Sequence, residues 1–362
     1  MTKNTYCVIM AGGIGSRFWP ISRTAHPKQF LDILGVGKTL IQQTFERYNS
    51  LCPKENILVV TNEIYKNLVL EQLPEIKEEQ VLCEPSRRNT APCLAYAAYK
   101  INSINPNAKM IVAPSDHLVL KEKKFAETIN IALQAAEDSG CLITLGIKPS
   151  RPDTGYGYIQ FDEKSKTYHR KVKKVKTFTE KPSFQMAKKF IESGDFCWNS
   201  GMFIWTVKSI LNAFDRHLPE VGDLFKEGAK HYNTSREMKF IHDTYQVCKN
   251  ISIDYGIMEK ADNVYVVLSD FGWSDLGTWG SLYEHIKRDT RGNAIIGNRA
   301  KLYDSKTCII NAPKDKLVVL QGLDDYIVVD TEDALLVCKK EDEQKIKQFV
   351  NDIKIGKDGK YL

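Results

Sequence analysis

The sequence predicts an α/β fold: a doubly wound, mostly parallel sheet followed by a small C-terminal β domain. Over residues 1–150, short apolar runs rich in β-branched residues alternate with helical patterns. Near-continuous apolar strands separated by helices are typical of a parallel sheet covered on both faces. After about residue 285, short strand-like segments follow one another between turn residues, which indicates a small all-β unit. We therefore expect one domain over 1–285 and a second, with a closing helix, over 286–362.

The first part of the chain supplies the strands and helices of the expected parallel sheet. Four apolar runs predict strands at Tyr6–Met10, Ile57–Thr61, Met110–Ala113 and Leu142–Leu145. Between them, Ala91–Ile101 and Phe125–Asp138 carry apolar residues at helical spacing. The first pattern follows Thr90 and the second stops at Gly140, as is usual for the start and the end of a helix.

The middle of the chain is less regular. Strands are expected at Gly155–Phe161, Val172–Phe178, Gly201–Thr206 and Val264–Leu268, and helices at Ser183–Ser193, Val207–His217, Glu237–Tyr245 and Asp254–Ala261. The lysine-rich stretch Lys164–Lys176 joins the first two of these strands. Because lysine-rich edges blunt strand pairing, we interpret this stretch as a solvated hairpin and not as a nucleic-acid surface.

The C-terminal part has the pattern of a small all-β unit. Short strands are expected at Ala294–Ile296, Lys301–Tyr303, Thr307–Asn311, Leu317–Gln321, Tyr326–Val329 and Ala334–Cys338. A closing amphipathic helix is expected at Glu341–Ile353. Strands this short bury little apolar area alone, so we expect the unit to dock on the larger domain or to form part of a dimer interface.

Composition favours a globular enzyme without a membrane or nucleic-acid partner. The formal net charge is +6, from 51 basic and 45 acidic residues among 362, which is mild and fits anionic substrates. The nine cysteines are scattered without a CxxC pair, which favours a reducing cytoplasm. Because no signal-peptide pattern and no apolar run of about 18 residues is present, we expect no membrane span.

A glycine-rich turn after the first strand is the most informative stretch. Gly12, Gly13 and Gly15 follow the strand directly, and glycines there let backbone N–H groups approach phosphates closely. Arg17 and Lys28 follow and supply positive charge for phosphoryl oxygens. Taken alone, the turn could also be simple loop geometry.

Two familiar phosphate motifs are excluded. A dinucleotide fingerprint starting at Gly13 would need glycine where Phe18 stands, which also argues against a nicotinamide dehydrogenase. A P-loop ending at Gly35–Thr39 would need glycine where Asp32 stands. We interpret Gly35–Thr39 as a turn before a helix.

The stretch AGGIGSRFWPISR, followed by HPKQFL, resembles the signature of the sugar nucleotidyltransferases, in the form typical of the mannose-1-phosphate guanylyltransferase family. Seven later segments agree with that family in order: EPSRRNTAP, APSDH, GYGYI, FTEKP, WNSGMFIW, SIDYGIMEK and FGWSDLGTW. The resemblance covers about residues 5–340. It implies a Rossmann-like catalytic domain and a C-terminal β-helix-like domain. Bifunctional relatives carry an added isomerase domain, which we do not expect in a chain that ends at Leu362.

The resemblance implies a reaction and its partners. Mannose 1-phosphate would attack the α-phosphorus of GTP in line, giving GDP-mannose and pyrophosphate, with Mg²⁺ as cofactor. The sugar phosphate is already an anion at neutral pH, so no protein base is required, and cations and backbone donors should do the work. A cytoplasmic homodimer is expected.

The resemblance also implies roles for individual residues. Nucleotide binding is expected at Ala11, Gly12, Gly13, Gly15, Ser16, Arg17, Lys28, Glu84, Pro85, Asn89 and Ser115. The sugar phosphate is expected at Gly155, Tyr156, Glu180, Lys181, Asn199 and Asp275. Catalytic roles are expected for Arg17, Lys28, Asp116, Lys181 and Asp275. Asp116 and Asp275 would hold Mg²⁺, a hard cation that prefers one or two carboxylates with phosphate and water oxygens.

From the residues alone, plainer interpretations stay open. Asp116 fits a turn or helix cap, Asp275 a turn, and Asn199 a turn before Gly201. Glu180 and Lys181 fit an exposed ion pair.

Neighbouring residues carry expectations of their own. His117 is expected either to be structural or to support a metal ligand without binding the metal, because neutral imidazole is a poor ligand for Mg²⁺. Arg87 and Arg88 are adjacent cations, so at least one should face solvent. The aromatic side chains of the WNSGMFIW segment are expected in the core: Trp198, Phe203 and Trp205.

Other functions are also open. The nearest alternative keeps the chemistry and changes the sugar 1-phosphate or the nucleoside triphosphate. A non-catalytic subunit that senses sugar nucleotides is a second class. The presence of Arg17, Lys28, Asp116 and Asp275 argues against that class.

Overall fold

A computed structural model describes residues 3–165, 167, 169–297, 300–356 and 358–362. The chain forms two compact units. The first unit comprises Met1–Gly12, Phe45–Ser115 and Val119–Trp273, and the second comprises Gly13–Thr44, Asp116–Leu118 and Ser274–Leu362. Positions 166 and 168 of the lysine-rich stretch lie outside the described residues. The division of the chain at residue 286 stays a prediction.

The α/β part of the chain runs from β1 to α9. The strands are β1 Thr5–Met10, β2 Ile57–Asn62, β3 Val81–Glu84, β4 Lys109–Pro114, β5 Leu118–Val119, β6 Leu142–Ile147, β7 Gly157–Asp162, β8 Val172–Glu180, β9 Phe196–Thr206, β10 Val264–Ser269 and β11 Trp273–Ser274. The helices are α1 Leu40–Asn49, α2 Lys66–Gln72, α3 Thr90–Ile104, α4 Glu122–Ser139, α5 Phe184–Ser193, α6 Val207–His217, α7 Pro219–Lys226, α8 Glu237–Val247 and α9 Trp279–Tyr283.

The C-terminal part is built of short strands and a closing helix. Its elements are β12 Ala294–Ile296, β13 Ala300–Tyr303, β14 Ile309–Asn311, β15 Val318–Gln321, β16 Tyr326–Asp330, β17 Leu335–Lys339 and α10 Ile346–Ile355. The 3₁₀ turn Lys340–Lys345 precedes α10, so the predicted closing helix is 3₁₀ in its first part.

One nine-stranded sheet organises the first unit, in the order β3-β2-β1-β4-β9-β6-β10-β8-β7, with β7 also paired to β9. β1 is parallel to β2 and β4, β2 to β3, and β6 to β10. β9 runs antiparallel to β4, β6 and β7, and β8 runs antiparallel to β7 and β10. The predicted α/β class is confirmed. The sheet is mixed because β9, between β4 and β6, and β8, between β10 and β7, run antiparallel to their neighbours.

Helix α3 lies at the centre of the first unit's core. Its residues are buried without interruption from Ala91 to Ile101, as is typical of a helix that is apolar all round. It contacts α6 and α7, and Trp205, Phe214 and Phe225 belong to the same apolar cluster. This packing fixes the start of α3 at Thr90, and with it the preceding loop.

Most sequence predictions of elements hold within a few residues, with informative exceptions. The turn at Gly35–Thr39 before a helix is confirmed by α1. The helix expected at Asp254–Ala261 is a π-helical turn, Asp254–Met258. Asn199, which could have been a turn residue, lies within the long strand β9.

The second unit has the parallel pairing of a β-helix. β12, β14 and β16 pair in parallel, β17 adds antiparallel to β16, and β13 pairs in parallel with β15. Its apolar core includes Phe18 and Trp19 from the glycine-rich stretch together with Trp279, Ile309 and Ile346. The glycine-rich stretch is therefore anchored by the C-terminal part of the chain within this unit.

A buried ion pair ties α3 to α8 within the first unit. The Lys100 ammonium lies 2.7 Å from both carboxylate oxygens of Glu237, and their side chains are 7% and 10% exposed. The Tyr96 hydroxyl and the Asn233 backbone N–H donate to the same carboxylate. Each acceptor oxygen is therefore used, which is the condition under which a buried pair is tolerated.

Glu237→Gln should destabilise the protein strongly, because it leaves the Lys100 ammonium buried without a counter-charge. We expect the free energy of unfolding to fall by about 3–5 kcal/mol, measured by guanidinium denaturation. Asp215→Asn is the matched control, since it breaks the exposed Lys226–Asp215 pair and should cost less than about 1 kcal/mol. Equal losses in the two variants would contradict this assignment.

Candidate active site

The glycine-rich turn belongs to the second unit from Gly13 onward. Gly15 has φ of 68°, in the left-handed region. A Cβ built there would lie 2.4 Å from the Lys28 Cβ, so glycine is required for Lys28 to lie beside the turn. Ser16 then opens a short 3₁₀ turn, Ser16–Phe18.

Lys28 is a buried cation whose ammonium is bonded entirely to protein oxygens. The residue is 3% exposed. Its Nζ donates to the backbone oxygens of Asp275, at 2.7 Å, and Leu276, at 2.8 Å. The third contact is the Asp116 carboxylate, with 2.9 Å between Nζ and Oδ2. Three contacts satisfy all three donors of an ammonium group.

Asp116 is ionised by its neighbours and partly open to solvent. Its side chain is 30% exposed. Burial opposes ionisation, but the Lys28 ammonium, and then His117, outweigh it and hold the pKa of the Asp116 carboxyl below its usual value. The His117 Nε2 lies 3.9 Å from the Asp116 Oδ1, which fits the supporting role expected for His117.

Asp275 lies in a tight turn whose backbone contacts the same ammonium group, that of Lys28. Its Oδ1 accepts from the Gly277 N–H at 2.9 Å, and the next residue, Leu276, has φ of 43°. The Lys28 ammonium therefore contacts both candidate metal ligands, Asp116 through its carboxylate and Asp275 through its backbone.

This pair of carboxylates fits Mg²⁺. Both are oxygen donors on residues bonded to one buried ammonium, and Mg²⁺ usually takes one or two carboxylates with substrate and water oxygens. Among the residues that the structure describes, no group of three or more His, Cys, Asp or Glu is arranged to hold a metal ion.

Arg17 is tethered to the C-terminal part of the chain. Its Nε donates to the Gln344 Oε1 at 3.0 Å. The turn beside it is fixed by Phe18, whose ring centroid lies 5.0 Å from that of Trp279, and by Trp19, whose indole N–H donates to the Tyr361 carbonyl at 2.7 Å. These contacts lie within the second unit, and sequence reasoning did not find them.

Three candidate nucleotide residues of the first unit follow neighbouring parallel strands. Ala11 and Gly12 come directly after β1, and Ser115 comes directly after β4. The Ala11 N–H donates to the Val60 carbonyl at 2.8 Å, and the Ser115 N–H to the Met10 carbonyl at 3.0 Å. They therefore lie at the carboxyl edge of the parallel strands, where α/β sheets bind ligands.

Glu84 is a buried carboxylate at the end of β3. It is 7% exposed, and its Oε1 accepts from the Tyr245 hydroxyl at 2.9 Å. Its Oε2 lies 3.8 Å from the position of a Cβ built on Gly12. Burial raises the pKa of the Glu84 carboxyl to about 7, although the Tyr245 hydrogen bond opposes this. Tyr245 was not found from the sequence.

The loop after Glu84 is fixed by the start of α3 and the end of α8. Asn89 has φ of 67°, and its side chain accepts from the Thr90 N–H at the start of α3. The Arg88 Nε donates to the Tyr245 carbonyl at 3.2 Å. Arg87 is exposed, as expected for one of the two adjacent cations, and Pro85 is half-buried.

The candidate sugar residues of the first unit include an aromatic group. Gly155 is exposed, and the ring of Tyr156 lies 4.9 Å from that of Trp198 and 5.4 Å from that of Trp273. Trp198, Phe203 and Trp205 are buried, which confirms the prediction that they belong to the core.

Glu180 and Lys181 form an ion pair, with 2.7 Å between Oε1 and Nζ and side chains 36% and 62% exposed. Lys181 has φ of 44°. The geometry is that of an exposed pair, and the roles expected for both residues in sugar-phosphate binding stay predictions.

Asn199 contacts a residue that the sequence reasoning left without a role. Its Nδ2 donates to the Asp254 Oδ1 at 2.8 Å. Asp254 lies in the SIDYGIMEK segment, which was used only to support the resemblance. A carboxylate within a motif shared by a family was the available signal.

Comparisons with known proteins agree with the fold. The nucleotidyl transferase family profile matches residues 6–292, and the MannoseP isomerase/GMP-like beta-helix domain matches residues 297–353. A protein of Escherichia coli named mannose-1-phosphate guanylyltransferase is 37% identical over 357 residues, 96% of this chain and 75% of that protein. A Klebsiella pneumoniae protein of the same name is 36% identical over 98% of this chain and 75% of its own length.

A solved structure shares the fold over nearly the whole chain. It is described as mannose-1-phosphate geranyltransferase from Thermus thermophilus, and it matches with a TM-score of 0.86 and 31% identity. The match covers 97% of this chain and 99% of that one.

Fold, profile and relatives define the class of protein: the chain is a nucleotidyltransferase. It belongs to the nucleotidyl transferase family, in the branch whose members are named mannose-1-phosphate guanylyltransferase. The expected β-helix-like C-terminal domain is confirmed. Within the described ranges, no helix is long and apolar enough to cross a membrane.

Glu84→Gln should change how stability depends on pH. The folded pKa of about 7 exceeds the value of ~4.3 in an unfolded chain. The stability that comes from the protonated form is therefore fully present below pH ~4.3 and is lost as the pH rises through 7. Between pH 5 and 8, we expect the wild type to lose about 3 kcal/mol relative to Glu84→Gln, measured by urea denaturation across this range.

The exposed residue Glu55 provides the control for this measurement. The stability of Glu55→Gln should run parallel to that of the wild type. If the stability of Glu84→Gln also changed with pH in the same way as that of the wild type, the assignment of a raised pKa to Glu84 would be wrong.

Proposed function

We propose that the protein transfers GMP from GTP to α-D-mannose 1-phosphate, giving GDP-mannose and pyrophosphate by in-line attack of the sugar phosphate on the α-phosphorus. The observation that carries the proposal is the group in the second unit, in which the Lys28 ammonium contacts both the Asp116 carboxylate and the backbone of the Asp275 turn. The names of the relatives over 96–98% of this chain support mannose and guanine as the sugar and the base.

The proposed chemistry requires charge control and no protein base. The attacking group is a phosphate oxygen that is already ionised, and the leaving group is pyrophosphate. The residues must align two polyanions, screen their repulsion and stabilise the transition-state charge. We propose that Arg17 and Lys28, with the backbone of Gly13, Gly15 and Ser16, serve the nucleotide phosphates.

Lys28 has a constraint that the sequence did not indicate. Its ammonium already makes three contacts with protein oxygens. Direct contact with a phosphate therefore requires the exchange of one of these contacts.

We propose Mg²⁺ as the cofactor, held by Asp116 and Asp275. When bound, it would neutralise phosphate charge. Asp116 supplies a carboxylate that is 30% exposed, and Asp275 supplies a second one on the turn fixed by Lys28.

Residues of the first unit would recognise the base and the sugar. We propose that Glu84, Pro85, Asn89 and Ser115, with the backbone of Ala11 and Gly12, serve the base. Gly155, Tyr156, Glu180 and Asn199 would serve the sugar, and Lys181 its phosphate. A site that hydrogen-bonds its ligand discriminates strongly, because a wrong ligand leaves buried polar groups unpaired.

The substrates are tested by pyrophosphate release, with the purified protein, Mg²⁺, four nucleoside triphosphates and mannose, glucose, galactose and fucose 1-phosphates. We expect one strong combination, GTP with mannose 1-phosphate, and its loss with EDTA. A strong signal in another combination would keep the chemistry and change the substrate. No release from folded protein would favour a sensing subunit and contradict the proposal.

Asp275→Asn tests the metal assignment most cleanly, because the backbone oxygen through which Asp275 contacts Lys28 is kept in the variant. We expect a higher Mg²⁺ requirement and a kcat at least about tenfold lower, with an unchanged melting temperature. Asp116→Asn should lower kcat as well and also cost about 1–3 kcal/mol of stability, since it removes the counter-charge of Lys28. Full activity in both variants would contradict the assignment.

We also propose that the protein is a cytoplasmic homodimer. Size-exclusion chromatography with light scattering at micromolar concentration should give about twice the chain mass of 41.2 kDa. A single-chain mass would contradict the dimer.

A further inference from the structure

The SIDYGIMEK segment places a carboxylate beside the candidate sugar residues, and the proposed roles do not use it. Asp254 opens the π-helical turn Asp254–Met258. π-Helical turns are rare and often occur at functional positions. The Asp254 Oδ1 accepts from the Asn199 amide at 2.8 Å, so the turn and the long strand β9 are joined at this point within the first unit.

The hydrogen bonds of Asn199 leave its amide little freedom to bind a ligand. Its Oδ1 accepts from the Gly201 N–H at 3.1 Å and from the Thr144 hydroxyl at 3.3 Å. Its Nδ2 donates to Asp254. These partners fix the orientation of the amide, so Asn199 has one remaining N–H and acts mainly by holding Asp254.

A glycine near Asn199 leaves room for the Glu180 carboxylate. Gly157 lies opposite Glu180 in the β7–β8 pairing. A Cβ built on Gly157 would lie 2.6 Å from the Glu180 Oε2 and 3.5 Å from the Asn199 Cβ. Any side chain at this position would therefore displace Glu180. The glycine therefore lets the Glu180 carboxylate lie beside the Asn199 side chain, whose amide holds Asp254.

The charges around Asp254 suit a neutral ligand rich in hydroxyl groups. Burial raises the pKa of the Asp254 carboxyl, and the negative charge of Glu180 raises it further, while the Asn199 hydrogen bond and Lys181 oppose the rise. A carboxylate has about four acceptor positions. Asn199 and the backbone N–H of Asp254 itself take only part of that capacity. Hydroxyl donors would use the rest without adding charge.

We infer that Asp254 is a specificity-determining residue, whose carboxylate accepts hydrogen bonds from hydroxyl groups of the sugar ring, and that Asn199 is a positioning residue that orients this carboxylate. The inference rests on the proposed function, since it concerns the sugar 1-phosphate of that reaction. It adds to Glu180 a second carboxylate that recognises the sugar, and it explains why three partners fix the orientation of the Asn199 amide.

The test combines Asp254→Asn with a series of substrates in which one ring hydroxyl at a time is replaced by hydrogen. The series is built on whichever sugar 1-phosphate the wild type uses best. We expect Asp254→Asn to lower kcat/KM for the parent sugar phosphate about 10²-fold, mainly through KM. The Kd for GTP and the melting temperature should stay unchanged.

The deoxy series separates a contact from a structural role. For the analogue that lacks the contacted hydroxyl, the wild type and Asp254→Asn should agree within about twofold, because the interaction is already absent. The same loss on the parent and on every analogue would assign Asp254 a structural role and overturn the inference. An unchanged kcat/KM of Asp254→Asn for the parent sugar phosphate would overturn the inference as well.

Three further variants serve as controls. Glu259→Gln changes an exposed acid at the end of the same turn and should leave KM for the sugar phosphate within about twofold. Asn199→Ser should raise this KM by less than Asp254→Asn does, with the Kd for GTP unchanged. Should Asp254→Asn fail to fold, Asp254→Glu keeps the charge and moves the carboxylate by one methylene group. It should raise KM for the sugar phosphate, and an unchanged KM would count against the inference.

Failure of the proposed function would be recognised separately. If the wild type turned over no sugar 1-phosphate, calorimetry with mannose 1-phosphate alone would decide the role of Asp254. Binding at least tenfold weaker in Asp254→Asn would support it. Equal binding, or no binding to the wild type, would overturn it.

Discussion

The contacts of the buried Lys28 ammonium are the constraint on which the candidate site of the second unit depends. A buried cation is tolerated only where each N–H finds an acceptor and its charge is balanced. Lys28 meets both conditions through Asp116 and the two carbonyls of the Asp275–Leu276 turn. The left-handed glycine at position 15 follows from this arrangement, because a Cβ there would collide with the Lys28 side chain.

This constraint gives the two candidate metal ligands different electrostatic roles. The carboxylate of Asp116 is balanced by Lys28 before any ligand binds, whereas the carboxylate of Asp275 accepts a hydrogen bond from the Gly277 backbone N–H. Two carboxylates, of Asp116 and Asp275, lie on residues that contact this one ammonium. A divalent cation is therefore attracted, and Asp116 remains ionised without it because an adjacent cation favours the charged form.

The local sequence pattern was sufficient to predict most of the helices and strands. The features that the sequence did not reveal depend on contacts between residues that are far apart in the chain. The helix expected at Val207–His217 has those bounds in the structure, because its apolar spacing and its Thr206 cap are encoded within one segment. The antiparallel direction of β9 could not be predicted, since a buried apolar run looks alike in either direction. Tyr245 was missed for a related reason: it lies 161 residues from Glu84 in sequence, and its identity as a donor depends on α8 packing near β3. Motif resemblance named the charged residues, but it did not indicate that the ammonium of Lys28 is satisfied by protein oxygens.

The carboxylates of the two units are held in different ways, and the difference matches the chemistry proposed for each. In the first unit, Glu84 is bonded by a tyrosine hydroxyl and Asp254 by an asparagine amide. A neutral donor orients a carboxylate without neutralising it, so its remaining oxygen positions can still accept from the N–H or O–H groups of a base or a sugar. In the second unit, Asp116 is bonded by an ammonium, which fixes its charge. Recognition of a neutral base or sugar ring requires hydrogen-bond acceptors of defined direction, whereas binding of a polyphosphate requires groups of defined charge. The neutral donors in the first unit give Glu84 and Asp254 a defined direction, and the ammonium in the second unit gives Asp116 a defined charge.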